Sequence, residues 1–137
     1  MLNIGKLKRS SGLVIAILAL MIMGQSALAG DDASIKGDLR ANIQQSMKQF
    51  IDTMAVDSQL YLYDAVDGRL LSLRLKKLHD GIVKKGDYYV SCADFSDADG
   101  NIIDVDFLVR PKEGKLITTQ ALIHSVDGKK RQYHLEG

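Results

Sequence analysis

The chain has 137 residues, 46 % of them hydrophobic and 26 % charged, with one Cys, one Pro and no Trp. That length suits one globular domain, and the apolar content argues against a disordered chain. With 18 Lys and Arg against 17 Asp and Glu, the composition excludes a strongly basic nucleic-acid-binding protein.

The first 29 residues have the grammar of a secretory signal peptide. Lys6, Lys8 and Arg9 form a positive n-region, and Leu13 to Met23 form a short apolar run. That run fits an h-region and falls short of the roughly 20 residues a bilayer span needs. Ala27-Leu28-Ala29 supplies the small-x-small cleavage signal. Removing 29 residues leaves 108 of the 137, with 15 basic and 17 acidic side chains and a net charge of −2. The expected location is periplasmic or extracellular, with no stable membrane span after cleavage. Cys92 then has no intrachain partner in an oxidising compartment, so packing must supply the stability.

Residues 30–137 read as a single α+β domain. Asp31-Asp32-Ala33-Ser34 is placed to open a helix. Ile35, Leu39, Ile43, Met47, Phe50 and Met54 follow at spacings of four and three, one apolar stripe on a helix of about six turns. The period then changes to two. Strands are expected at Gln59–Tyr63, Arg69–His79, Asp87–Phe95, Ile102–Val109, Leu116–Val126 and Arg131–Leu135. Asp67-Gly68, the polar stretch Asp80–Gly86, Asp97–Asn101, Pro111–Gly114 and Asp127-Gly128 separate them as turns or loops. Short turns join antiparallel neighbours. The expectation is one long N-terminal helix packed on a curved antiparallel meander sheet of five or six strands.

The hairpin around Gly100 sets a register. With Phe95 opposite Ile103, Ala93 meets Val105 and Ser91 meets Phe107 under the helix. Asp94 then opposes Asp104, and Cys92 opposes Asp106, on the other face. A turn near Lys112-Glu113 places Ile117, Thr119, Ala121 and Ile123 on the buried face, and Gln120, Leu122 and His124 beside the aspartates. The candidate ligand or partner patch is therefore Asp94, Asp104, Asp106, His124 and Cys92. Like charges across a strand pair repel, so a cation should compensate. Arg74, Lys76 and Arg110 are the expected side chains for that task. A divalent cation, a cationic ligand group or a docked protein are the alternatives.

No phosphate-cradling loop, nucleophile elbow or zinc-finger spacing is present, and no catalytic residue, cofactor or dedicated metal site is assigned. Asp97-x-Asp99-Gly100 falls short of a calcium loop, because Phe95 would hold its first ligand position. His79, His124 and His134 lack metal-ligand spacing. Carboxylates around Cys92 would oppose the thiolate that a nucleophile requires.

One helix followed by an antiparallel meander resembles the cystatin-like and NTF2-like folds. Asp97 to Asp106 weakly resembles the hairpin of PepSY-type exported domains. The phrases Leu62-Tyr63-Asp64, Ser91-Cys92-Ala93-Asp94-Phe95, Asp104-Val105-Asp106-Phe107 and Ile123 to Lys129 resemble a group of small exported bacterial proteins of unknown function. Those folds host inhibitors, binding modules and a few enzymes, so no function follows from the resemblance. The leading expectation is a small exported, non-enzymatic binding module of the bacterial cell envelope, with an unidentified protein or small ligand as partner. A small enzyme with an Asp/His acid–base pair and a structural homodimer are the other readings.

Overall fold

The structure, a computed structural model, describes residues 32–132. The signal-peptide segment and Tyr133–Leu135 of the last expected strand lie outside the described residues. The fold is α+β: helix α1 (Gly37–Met54) is followed by β1 (Leu60–Asp64), β2 (Arg69–Lys85), β3 (Tyr88–Ser96), β4 (Ile102–Lys112), β5 (Lys115–Val126) and β6 (Lys129–Lys130). The six strands form one antiparallel sheet in chain order, the meander that short turns predict. No helix of the described residues is long and apolar enough to cross a membrane.

The helix starts later than its apolar stripe. Asp32 Oδ1 accepts hydrogen bonds from the Ser34 amide (2.9 Å) and hydroxyl (2.7 Å), which holds the lead-in as a turn. Gly37, at φ +57°, then turns the chain into α1. Ile35, Ile43, Met47 and Ile51 are buried on one face. Met54, the last member of the stripe, is exposed. After the helix, Asp57 and Ser58 both take positive φ in a tight turn closed by reciprocal Val56–Gln59 bonds of 2.9 and 3.0 Å.

The helix lies over β-strand residues that alternate inward. Ala93, Phe95, Ile103, Val105, Phe107, Val109 and Ile123 are all buried in one core. Phe107 meets Phe50 of α1 edge-on at 6.1 Å and Phe95 at 6.2 Å. Burying one such ring stabilises the fold by about 1.5–3 kcal/mol. A buried hydroxyl pair, Ser46 Oγ and Thr118 Oγ1 at 2.8 Å, stitches α1 to β5 within this apolar layer.

Three irregularities depart from simple alternation. First, Asp80–Lys85 belongs to β2 rather than to a loop, and the turn to β3 tightens to Gly86-Asp87. The 17-residue β2 changes partner midway: Arg69–Leu73 pair with β1, and Arg74–Lys85 with β3. Second, its ladder with β3 is interrupted between Leu75 and Lys77 and between Leu78 and Ile82. Third, β5 bulges twice against β4, where Thr119 and His124 are extra residues. The Thr119 bulge reverses the expected facing of the preceding segment. Thr118 is buried, whereas Ile117 and Thr119 are exposed.

The first and last strands of the sheet are tied by charge. Arg131, just after β6, forks onto Asp64 at the end of β1, with Nε to Oδ1 at 3.0 Å and a second nitrogen to Oδ2 at 2.6 Å. The same nitrogen reaches Asp67 at 3.0 Å. The Asp64 and Arg131 side chains are 1 % and 10 % exposed, so this is a buried bidentate pair. Side chains thereby link the residue just after β6 to the end of β1, across the two edges of the open sheet.

Candidate functional site

The β3–β4 hairpin has the register expected from its turn. Phe95 pairs with Ile103, Ala93 with Val105 and Ser91 with Phe107; Asp94 pairs with Asp104 and Cys92 with Asp106. Because Phe107 and its neighbours face the helix, alternation puts Cys92, Asp94, Asp104 and Asp106 on the opposite face. Asp97 stabilises the turn by accepting from the Asp99 and Asn101 amides at 3.0 and 2.9 Å, and Gly100 supplies φ +83°. The turn is thus closed on itself, as a hairpin rather than a calcium loop requires.

The two histidines arrive on this face through irregular backbone. His124 is the extra residue of the second β5 bulge, lying between Ile123, which pairs with Val105, and Ser125, which pairs with Asp104. Its Nδ1 stands 3.5 Å from Asp104 Oδ2 and 3.3 Å from Asp106 Oδ2. His79 lies in the wide interruption of β2, and its Nε2 stands 3.1 Å from Asp94 Oδ1. The helix fixes this stretch from the other side of the sheet, since Gln44 Nε2 donates to the His79 carbonyl at 3.0 Å.

Sequence reasoning placed Asp94, Asp104, Asp106, Cys92 and His124 together, and the structure brings all five to one face. It missed His79, because alternation gives no side to a residue inside a bulge. The compensating charges also differ from expectation. Arg110 instead faces Asp87 at 3.5 Å. Among the described residues no ion pair joins Arg74 or Lys76 to the aspartates; Arg74 lines a cleft of about 740 Å³ between the end of α1, β1 and β2. Imidazoles take the positions expected for Arg and Lys beside Asp94 and Asp104.

The site is half withdrawn from solvent. The Asp106 side chain is 4 % exposed, His124 16 % and Asp104 24 %. Cys92 Sγ donates to Asp106 Oδ1 at 2.9 Å. Burial pushes the Cys92 thiol far up from its ordinary value, and the charge of Asp106 adds to that shift. A thiol so held is a hydrogen-bond donor, not a nucleophile. Burial likewise raises the Asp104 carboxyl; His124 opposes the shift and Asp106 reinforces it. Oδ1 of Asp104 is buried and has no hydrogen-bond partner. Two groups of candidate ligand atoms result, each within 4.8 Å: Asp104, Asp106 and His124, and His79, Cys92 and Asp104.

No protein-family model, curated protein or solved structure significantly matches this chain. Any functional reading therefore rests on the residues themselves.

Proposed function

We propose that this chain is a small exported, non-enzymatic binding module of the bacterial cell envelope. In this reading the sheet face away from the helix captures a divalent cation through Asp104, Asp106 and His124. The helix held by a curved meander is proposed to be of the cystatin-like or NTF2-like kind. The carrying observation is the convergence of two carboxylates and one imidazole within 4.8 Å, on a face that the core leaves uncovered by the helix. Carboxylate and neutral imidazole together are donors for divalent metal ions. Closely spaced carboxylates are unfavourable without a cation, and a bound ion would relieve both the repulsion and the unpartnered Asp104 oxygen.

The test is thermal unfolding of chelator-treated protein with and without Ca²⁺, Mg²⁺, Mn²⁺ or Zn²⁺. An ion at about 100 times its Kd stabilises the native state by roughly 2.7 kcal/mol. For a domain near 100 residues this raises the midpoint by on the order of 10 °C. The shift should vanish in the Asp104→Asn, Asp106→Asn double variant. Absence of a shift with every ion would sink the cation reading and leave a docked protein as the use of this face.

A further inference from the structure

The second ligand group says which kind of ion the face would prefer, given the proposed cation-binding role. His79, Cys92 and Asp104 offer one nitrogen, one sulfur and one carboxylate oxygen within 4.8 Å of one another. They come from three adjacent strands, β2, β3 and β4: Cys92 and Asp104 sit in the regular β3–β4 ladder, and His79 in the interrupted part of β2. Ligands around a tetrahedral ion, at metal distances of about 2.0 Å to nitrogen and 2.3 Å to sulfur, stand roughly 3.3–3.8 Å apart.

Contacts around the three donors differ. Asp94 stands 3.1 Å from His79 Nε2, so an ion bound through Nδ1 would leave this carboxylate to orient the imidazole, as carboxylates commonly do around metal-bound histidines. Gln44 pins the His79 carbonyl from beneath. Cys92 donates its S–H to Asp106 at 2.9 Å, a hydrogen bond that the sulfur–metal bond would replace, with the ion's charge offsetting the nearby carboxylates. Asp104 belongs to both ligand groups and has an unpartnered buried oxygen.

We propose that His79, Cys92 and Asp104 form a site for a borderline transition-metal ion of the Zn²⁺ or Co²⁺ kind, with Cys92 as a thiolate ligand. Binding breaks the Cys92 S–H bond, forms one sulfur–metal bond and releases one proton to solvent, with no change in oxidation state. Ca²⁺ and Mg²⁺ take oxygen ligands, so a thiolate in the set selects against both.

Co²⁺ is the probe, added to reduced, chelator-treated protein and followed by absorption. A near-ultraviolet thiolate-to-cobalt charge-transfer band is expected, with visible ligand-field bands of a low-coordinate ion. Cys92→Ser should remove the charge-transfer band, and His79→Gln should weaken Co²⁺ binding by about ten-fold or more. A large excess of Ca²⁺ should not displace the Co²⁺, and Zn²⁺ should. Circular dichroism of both variants checks that each remains folded; the wild-type spectrum is decisive even if one does not. Co²⁺ bound without the charge-transfer band would overturn the sulfur-containing site and leave a carboxylate–imidazole cation site standing. Failure of every cation to bind would overturn both.

Discussion

Arg131 and Asp64 join the two edges of the meander, and Arg131→Met measures what that junction contributes. The Asp64 carboxylate is 1 % exposed and accepts two hydrogen bonds from one guanidinium. Losing Arg131 leaves a buried carboxylate with backbone donors such as the Val66 amide, 3.1 Å away. Removing one partner from a buried pair costs about 3–5 kcal/mol, chiefly through the charge left behind. Asp67 is half exposed, so its share of the guanidinium adds little. For a domain of this size the loss lowers the midpoint by on the order of 15 °C. The hydrogen bond from Arg131 holds the Asp64 carboxyl below its ordinary value. A depressed folded pKa contributes stability that is fully present above the unfolded value of about 3.9 and is lost as pH falls through the folded value. The gap between wild type and variant should therefore be full at pH 7 and narrow below about pH 4. Urea unfolding at several pH values reads both quantities. Asp64→Leu combined with Arg131→Met should recover most of the loss, since an apolar pair leaves no buried charge. A variant within about 1 kcal/mol of wild type at pH 7, or a gap that ignores pH, would refute the clasp.

Asp104→Asn should stabilise the metal-free protein at pH 7 by roughly 0.5–1 kcal/mol, because it removes like-charge repulsion across β3 and β4. Burial raises the folded Asp104 pKa, so its contribution to stability is fully present below the unfolded value and lost as pH rises. The advantage of Asn should accordingly disappear below about pH 4, as read by thermal melts across pH. Ser46→Ala should cost about 1–3 kcal/mol by stranding the buried Thr118 hydroxyl, whereas Ser46→Ala with Thr118→Val should cost much less in urea unfolding. Gln44→Ala should destabilise by about 1 kcal/mol and also weaken Co²⁺ binding, through a His79 segment no longer pinned; unchanged affinity in a folded variant would disconnect the helix from the site.

The parts of the fold governed by strict periods were legible in the sequence. The helical stripe through Ile43, Met47 and Phe50 and the alternation through Ser91–Phe95 and Ile103–Phe107 match the observed burial, although Ile51, buried beside Phe50, was not part of that stripe. Gly100 anchored the register between the two strands, so Asp94, Asp104, Asp106 and Cys92 could be assigned to a face. Periodicity lost its meaning at the bulges. An extra residue at Thr119 inverted Ile117, and the interruption after Leu78 made part of β2 look like a loop. The polar run Lys84-Lys85-Gly86-Asp87 reinforced that impression, although a two-residue turn suffices there. His79 was hidden for the same reason. The Asp64–Arg131 pair spans 67 positions and has no periodic signature at all.

The bulge at His124 has a consequence for how such a face is acquired. Without that residue, Ile123, Ser125 and Val126 would alternate in, out and in against β4 with no interruption. The same holds at Thr119, where Thr118, Gln120 and Ala121 form an unbroken series if the intervening position is skipped. The imidazole is thus one extra residue in a ladder whose pairs on either side of it stay in step. Gaining or losing it shifts the strand ends by one position while the Val105–Ile123 and Ile103–Val126 pairs survive. Chemistry on the outer surface can then change by insertion and deletion, an evolutionary route that leaves the interior's packing untouched.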